Sequence, residues 1–331
     1  MSSQNNVWRV GFVGAGNITK LHFEGISRHP DRVVVAGLCD PDKDTLIVRG
    51  EEFGCKGLYP DVEAMIADGG IDVAIVCTAT HVRSSVLLPL IQAGIPVLCE
   101  KPFAETYAEA VEIEKAANHV GVPIAINQNF RRHFTFHIAR EILQKKELGR
   151  PLHLVQNEAW LRRDRGWRLE RNRYVMSVMS IHWFDGYRFM LNDEVERVCC
   201  GHINSPATPG GEDTAVSMLL RFREGTLVSL SDSFSSFTKQ NYCGLDCEKG
   251  GLILDYNGLK EIREDGSVIE HTNQYDKAGA TYYVLDDLID AVEQSRSPET
   301  SVADNVHTMR ILEAAYRSIT ENRSIAMEEI A

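Results

Sequence analysis

The residues best suited to bind a phosphorylated ligand form a glycine-rich turn near the amino terminus. The segment reads, in chain order, Gly14-Ala15-Gly16-Asn17-Ile18-Thr19. It follows an apolar run and opens a helical pattern, and its spacing matches G-x-G-x-x-G with threonine in the third place. The first glycine permits a tight turn, the second lets the backbone approach a pyrophosphate, and the helix amino terminus attracts anions. The threonine should hold helix and strand slightly further apart. The segment predicts a dinucleotide site that includes Gly14, Gly16, Asn17 and Ile18.

A carboxylate in the right place accompanies this turn. Asp40 ends the next apolar run, about 20 residues beyond the glycine turn. A carboxylate there accepts hydrogen bonds from the ribose hydroxyls and repels a 2′-phosphate. No arginine stands among the next residues, Pro41-Asp42-Lys43-Asp44. We therefore predict NAD rather than NADP as the cofactor. The alternative is a turn with two glycines followed by a helix-capping aspartate.

Lys101 is the first candidate for proton transfer. It ends a central apolar run, and open α/β sheets bind ligands at the carboxyl edge of their strands. Pro102 favours an extended backbone at Lys101 and so fixes its direction. An ammonium that is partly desolvated near a bound nicotinamide loses its proton more readily than one in water. Lys101 is therefore expected to exchange a proton near neutral pH, the alternative being a solvated lysine at a strand end.

Short apolar runs separated by helical segments should position these residues. The runs are Val10 to Val13, Val33 to Cys39, Val73 to Cys77, Pro96 to Cys99 and Ile124 to Ile126. They are continuously apolar, which is typical of parallel strands covered on both faces by helices. The segments Val82 to Ala93 and Thr106 to Val120 read as helices stopped by Gly94 and Gly121. The β-α alternation predicts a doubly wound parallel sheet, a Rossmann domain over residues 1–125.

The second part of the chain, residues 126–331, has a different pattern of polar and apolar residues. Thr214 to Phe222 and Thr226 to Ser233 alternate polar and apolar residues around a turn at 223–225. Such alternation predicts an antiparallel sheet with one face solvated or covered by a partner. Two helices close the chain, roughly Tyr282 to Ser295 and Ser301 to Glu321.

Composition excludes some classes of partner. The 35 Lys and Arg against 47 Asp and Glu give a net charge of −12, which disfavours nucleic acid. Cys39, Cys77 and Cys99 lie in apolar strand runs, and free buried thiols suit a reducing cytosol. Cys243 and Cys247 have no second pair nearby, so we expect no metal site. No signal peptide or spanning run is visible, so a cytoplasmic protein without a membrane partner is expected.

Over essentially its whole length, the chain resembles the Gfo/Idh/MocA family, which includes glucose–fructose oxidoreductase and inositol dehydrogenase. The segments that carry the resemblance are Gly14-Ala15-Gly16-Asn17-Ile18, Cys77-Thr78, Ala93-Gly94-Ile95-Pro96-Val97-Leu98-Cys99-Glu100-Lys101-Pro102, Ile181-His182-Trp183-Phe184-Asp185 and Glu212-Asp213-Thr214-Ala215. The resemblance implies a Rossmann domain and a C-terminal α+β domain with a large, mostly antiparallel open sheet. It also implies a nicotinamide cofactor, hydride exchange with a carbohydrate-like compound, and a homodimer or homotetramer formed through the open sheet.

The resemblance also assigns roles to particular residues. Lys101 would reach the reacting hydroxyl and His182 would work with it, since an imidazole titrates in the range useful for acid–base catalysis. Thr78 and Glu100 would lie at the cofactor, Glu100 placing the ribose or the lysine. Asp185 shares a helix face with His182 and could support it. The alternative for His182 is a core histidine bonded to a backbone carbonyl.

Several positions depart from the family pattern. Val178 stands where the family usually has aspartate, four residues before His182, and Ser180 replaces a common glycine. Ala79 replaces a frequent proline, and a frequent histidine aligns with Arg83. Three functions therefore stay open: an NAD-dependent oxidoreductase acting on a sugar, polyol or sugar acid; an NAD-binding sensor that has lost catalysis; and an enzyme that recycles tightly bound NAD.

An arginine-rich segment precedes His182. Its arginines are Arg162, Arg163, Arg165, Arg168, Arg171 and Arg173. Guanidinium groups suit carboxylates and phosphates, so the segment suggests an acidic substrate with Arg173 as its main contact. Arg131 and Arg132 form a second candidate pair for substrate binding. The alternative is a solvated or subunit-contacting loop.

Overall fold

A computed structural model describes residues 7–164, 166, 172–208 and 211–330. In these residues the strands are β1 (Trp8–Val13), β2 (Val33–Cys39), β3 (Gly57–Tyr59), β4 (Val73–Val76), β5 (Val97–Cys99), β6 (Ile124–Ile126), β7 (Pro151–Leu161), β8 (Val195–Ile203), β9 (Ala215–Phe222), β10 (Leu227–Ser233), β11 (Ser235–Cys247), β12 (Gly250–Asp255), β13 (Gly258–Arg263), β14 (Val268–Thr272) and β15 (Ile325–Ala326). The α-helices are α1 (Ile18–Ser27), α2 (Lys43–Phe53), α3 (Val62–Asp68), α4 (Arg83–Gln92), α5 (Tyr107–Val120), α6 (Phe134–Lys145), α7 (Ile181–Leu191), α8 (Lys277–Gln294) and α9 (Val302–Glu321).

The chain folds into two compact units. The first comprises Met1–Asn129 and Asp276–Val306, and the second comprises Phe130–Tyr275 and His307–Ala331. The division differs from the sequence-based boundary at 125/126, because α8 and the first turn of α9 return to the first unit. Tyr282, Leu285 and Leu288 of α8 are buried in the same core as β1 and β2, so burial of this apolar face holds the helix there.

The first unit contains the expected doubly wound sheet. Its strands are parallel in the order β3-β2-β1-β4-β5-β6 among the described residues. The apolar runs become strands within one or two residues of their predicted limits. Thr106 caps α5 through a hydrogen bond from the Glu109 amide, and Gly121 ends that helix with φ +78°. The edge strand β3 has no counterpart in the prediction because its three residues are only half buried.

The second unit is built on a large, mostly antiparallel sheet. Its described strands run in the order β14-β13-β12-β11-β7-β10-β9-β8-β15, and β7 and β10 form a parallel pair. The predicted alternation is confirmed in β9, where buried Met218 and Leu220 flank exposed Leu219. Helix α7 packs on the buried face of the sheet, where Tyr187 donates a hydrogen bond to Gln156 of β7.

No helix in the described part of the chain combines the length and apolar character that a membrane span requires.

Candidate functional site

The glycine turn lies between β1 and α1, and its two glycines have different constraints. Gly14 adopts φ +95°, and a Cβ atom there would lie 2.9 Å from the Thr78 amide nitrogen. Gly16 has no heavy atom within 4 Å of its virtual Cβ, so its backbone is open to a ligand. Thr19 is buried and donates a 2.6 Å hydrogen bond to the Gly16 carbonyl. Asn17 caps α1 at its amino terminus without a side-chain hydrogen bond, and Ile18 is the first helical residue.

Asp40 lies directly beside this turn. It follows the last residue of β2, and its carboxylate accepts hydrogen bonds of 2.7 Å from the Ala15 amide and 2.9 Å from the Asp42 amide. The structure therefore brings together the turn and the carboxylate that the sequence placed about 20 residues apart.

Sequence reasoning missed an arginine at the same place. Arg49 of α2 is buried, and its Nε donates a 3.1 Å hydrogen bond to the Ala15 carbonyl, while its Nη1 pairs with Glu52. The residues directly after Asp40 include no arginine, but helix α2 carries Arg49 back to the glycine turn. A guanidinium fixed by a carboxylate and a carbonyl supports the turn from within the unit.

The ends of β4 and β5 are joined by a second buried arginine. Arg83, at the start of α4, is 4% exposed. Its Nη2 and Nε donate to the Thr78 carbonyl at 2.9 and 3.2 Å, and its Nη1 donates to the Pro102 carbonyl. Thr78 follows β4, and Lys101 and Pro102 follow β5. Arg83 therefore fixes the loop containing Lys101 to the strand end that packs against Gly14.

Glu100 points into the first unit. Its carboxylate accepts hydrogen bonds of 2.8 Å from His22 and 2.7 Å from Asn127, and its side chain is 8% exposed. Burial alone would raise the pKa of Glu100, but the hydrogen bonds and the nearby charge of His22 and Arg83 outweigh it and lower the pKa to about 2. Glu100 thus anchors the turn before Lys101 within the first unit, and of its two predicted roles, placing the ribose or placing the lysine, this contact favours the second.

These features fit a dinucleotide. Gly16 exposes its backbone at the amino terminus of α1, which can accept the pyrophosphate. Asp40 can bind the adenosine ribose, and Thr78 and Lys101 lie at the neighbouring strand ends. In the part of the chain that the structure describes, no group of three His, Cys, Asp or Glu side chains is placed to hold a metal ion.

His182 lies in the second unit, in the first turn of α7. Its half-buried ring stacks on Phe130 with centroids 4.4 Å apart and an interplanar angle of 11°. Helix α7 is entered through one π-helical turn, Met176–Ser180, which contains Val178. Such turns often lie at functional sites because they change which side chains face inward. Val178 cannot supply the carboxylate that this position has in the family.

Arg131 and Asp185 bind each other, whereas the sequence predicts a substrate contact for Arg131 and support of His182 for Asp185; both roles stay predictions. The guanidinium donates to the carboxylate at 2.7 and 2.6 Å, and the two side chains are 6% and 0% exposed. Thr308 donates a further hydrogen bond to Asp185 at 3.1 Å, and Arg188 lies 3.7 Å away. The buried pair links Arg131 to helix α7 through Asp185.

Two buried carboxylates that sequence reasoning missed lie beneath α7. Asp232 of β10 and Glu158 of β7 are paired in register on neighbouring strands. Ser180 donates a 2.5 Å hydrogen bond to Asp232, and Tyr256 donates a 2.7 Å hydrogen bond to Glu158. Burial raises the pKa of Asp232 to about 8 and that of Glu158 to about 7. The sequence signal was present: Asp232 occupies an inward position of β10 whose neighbours on that face, Val228 and Leu230, are apolar, and Glu158 occupies an inward position of the alternating strand β7.

The arginine-rich segment is only partly described. Arg173 donates a 2.9 Å hydrogen bond to Glu313 and stacks over the Tyr316 ring at 4.5 Å, and Arg162 pairs with Asp164. The predicted contacts of Arg165, Arg168 and Arg171 lie outside the described residues. Arg132 lies next to Arg131 in a short 3₁₀ turn, and its contact with substrate stays a prediction.

Comparison with known proteins matches both units. The sequence model described as "Oxidoreductase family, NAD-binding Rossmann fold" matches residues 8–128, and that of the "GFO/IDH/MocA C-terminal domain" matches residues 136–253. The chain is 25% identical to D-apiose dehydrogenase from Paraburkholderia graminis, over 96% of this chain and 89% of that protein. It is also 25% identical to myo-inositol 2-dehydrogenase from Thermotoga maritima, over 97% and 99% respectively.

The fold is shared with solved structures. An oxidoreductase from Agrobacterium radiobacter, crystallised with NAD⁺, L-tartaric acid and magnesium, superposes with a TM-score of 0.89 at 19% identity. The match covers 98% of this chain and all of the other. At 19% sequence identity, this similarity shows that the two chains share a fold.

Proposed function

Because the chain belongs to the Gfo/Idh/MocA family of oxidoreductases with an NAD-binding Rossmann fold, we propose that it transfers hydride between NAD and a secondary alcohol of a sugar, polyol or sugar acid. The observation that carries the proposal is the cluster at the carboxyl edge of the first sheet. There, the open backbone of Gly16, the Asp40 carboxylate and the Lys101 loop lie at adjoining strand ends. The names of the apiose and inositol dehydrogenases support the carbohydrate-like substrate.

The choice of NAD over NADP rests on Asp40. Its carboxylate is fixed at the glycine turn by two backbone amides, so it can accept hydrogen bonds from ribose hydroxyls but repels a 2′-phosphate. Arg49 is buried, and Glu52 and the Ala15 carbonyl engage its guanidinium. It is therefore poorly placed to attract a phosphate despite its charge.

Lys101 and His182 would manage the proton of the reacting hydroxyl. A bound nicotinamide would supply the acceptor or donor of the hydride. In the oxidation direction, Lys101 would take the hydroxyl proton and then, as an ammonium, stabilise the developing alkoxide charge. The ring of His182 is held flat against Phe130 in the second unit, and the family resemblance assigns it to the same hydroxyl, where an imidazole could accept or return the proton. In the reduction direction these residues would return the proton to the oxygen.

A binding protein without turnover is the second candidate, and Val178 is the observation that favours it. Removing a carboxylate from the acid–base set lowers catalysis by a factor on the order of 10²–10⁴. The cofactor site would be unaffected, because Val178 lies in the second unit and the Asp40 cluster in the first. The third candidate is an enzyme that keeps NAD bound through the whole reaction cycle. It predicts that NAD co-purifies with the protein and is reduced there without exchanging with NAD in solution.

The test combines cofactor binding with turnover. Purified protein is titrated with NADH and NADPH by fluorescence, then assayed at 340 nm with NAD⁺ and myo-inositol, D-apiose or L-tartaric acid. We expect tighter binding of NADH and turnover of at least one compound. Binding of NADH that responds to these compounds without any change in absorbance would favour the sensor.

Substitution of Lys101 tests its proposed role in proton transfer. Lys101→Met should lower kcat by roughly 10²-fold or more while leaving NADH affinity within about threefold. Lys115→Met, an exposed lysine of α5, is the matched control and should behave as wild type. Turnover by Lys101→Met at the wild-type rate would remove Lys101 from the mechanism.

A further inference from the structure

We infer that Arg83 is a positioning residue for Lys101: its guanidinium ties the carbonyl before α4 to the carbonyl after the lysine. The inference rests on the proposed catalytic role of Lys101 and extends it to a residue that does not touch substrate. Arg83 stands where the family resemblance leads one to expect histidine, so the arrangement is a property of this chain.

The contacts of Arg83 connect two segments that lie just beyond the last sheet hydrogen bonds of β4 and β5, those of the Cys77 and Glu100 amides. One edge of the guanidinium binds the Thr78 carbonyl through Nη2 and Nε, and Nη1 reaches the Pro102 carbonyl. Thr78 follows β4, where its amide packs against Gly14. Pro102 is the residue after Lys101. Displacement of either carbonyl would therefore move the backbone that carries the lysine relative to the glycine turn.

The environment of Arg83 indicates that this link has a function beyond filling space. The side chain is 4% exposed, and its charge acts on the buried Glu100 carboxylate without a described ion pair between the two. A buried guanidinium needs hydrogen-bond acceptors for its N–H groups even where a carboxylate lies nearby. Here they are carbonyl oxygens at the carboxyl ends of strands. An apolar side chain could fill the same volume but could not hold both carbonyls.

The shape of the guanidinium explains why arginine is needed. Its fixed fork presents several N–H groups in one plane and can reach two acceptors on separate segments. A lysine ammonium has a single nitrogen, so Arg83→Lys could keep one carbonyl and would release the other. Arg83→Gln would remove the charge and shorten the reach. The two variants should therefore displace the Lys101 loop to different extents.

A spectroscopic experiment tests the link without requiring a substrate. Lysines are reductively methylated with ¹³C-formaldehyde in wild type, Arg83→Lys and Arg83→Gln, and the Lys101 signal is assigned by its loss in Lys101→Arg. We expect the Lys101 resonance to move by more than its linewidth in both Arg83 variants, with the larger change in Arg83→Gln. The matched control is Arg32→Lys, because Arg32 binds Asp286 and Asp290 of α8 within the same unit; it should leave the resonance in place.

Kinetics supply the second measurement. A displacement of the lysine of about 1 Å should lower kcat by up to roughly 10²-fold, with KM and NADH affinity within about threefold and partial recovery in Arg83→Lys compared with Arg83→Gln. An unmoved Lys101 resonance together with wild-type kcat in both folded variants would overturn the inference. Failure of wild type to bind NADH or turn over any compound would instead refute the proposed function, while the resonance still reports whether Arg83 positions Lys101.

Discussion

Replacing Arg131 by methionine should destabilise the second unit by about 3 kcal/mol. Removing one partner of a buried ion pair costs about 3–5 kcal/mol, because the other charge is left in a poorly solvated place. Here the pair is bidentate, at 2.7 and 2.6 Å, and Asp185 is fully buried. Arg188 at 3.7 Å and the Thr308 hydroxyl at 3.1 Å would still partly compensate the carboxylate, which places the expected cost at the lower end.

Asp185→Asn should cost more, towards about 5 kcal/mol, because it leaves Arg131 and Arg188 facing a neutral amide. The double variant Arg131→Met/Asp185→Leu should be less destabilised than the sum of the single changes, by about 1–3 kcal/mol. Urea unfolding followed by tryptophan fluorescence measures all of these values. Lys260→Met serves as the control, because it breaks the exposed pair with Glu270, and it should leave the unfolding midpoint unchanged.

Two results would refute this reasoning. One is a loss of less than about 1 kcal/mol in Arg131→Met, since a buried carboxylate that loses its bidentate partner cannot be so well tolerated. The other is additivity in the double variant, which would mean that the two side chains do not interact. If Arg131→Met kept its stability but lost affinity for L-tartaric acid, Arg131 would be the substrate contact that its sequence position suggests.

Three further outcomes are expected. Asp40→Ser should weaken NADH binding by about tenfold, because a hydrogen bond to a charged group contributes roughly 1.5 kcal/mol, and should improve NADPH binding; equal losses for both nucleotides in fluorescence titrations would contradict this. Gly14→Ala should lower stability by about 1–3 kcal/mol because of its φ of +95°, seen as a lower thermal midpoint that NADH restores only in part. Asp232 keeps its proton in the folded protein up to a pKa of about 8, while the unfolded chain releases it near 3.8, so its contribution to stability falls as pH rises between these values. Asp232→Asn should therefore gain thermal stability relative to wild type from pH 5 to pH 8, and a constant difference across that range would disprove the assigned protonation.

The sequence by itself determined the local features. A tight turn between a strand and a helix favours glycine, which predicts the turn at Gly14 and Gly16. A helix favours a capping side chain at its start and a glycine at its end, which predicts the limits of α5 at Thr106 and Gly121. The continuous apolar runs fixed the parallel sheet of the first unit, and alternation fixed the antiparallel sheet of the second. Because the carboxyl ends of parallel strands share one edge, the proximity of Asp40 to the glycine turn was also predictable.

The tertiary structure decided which distant side chains meet. Arg131 and Asp185 each resemble site residues in sequence, but they lie 2.6 Å apart and neutralise one another. The return of α8 to the first unit and the link made by Arg83 likewise depend on surfaces formed by segments far apart in the chain. The role of a charged group depends on its burial and partners. Residue type and spacing specify neither, because both arise only when the folded chain brings separate segments into contact.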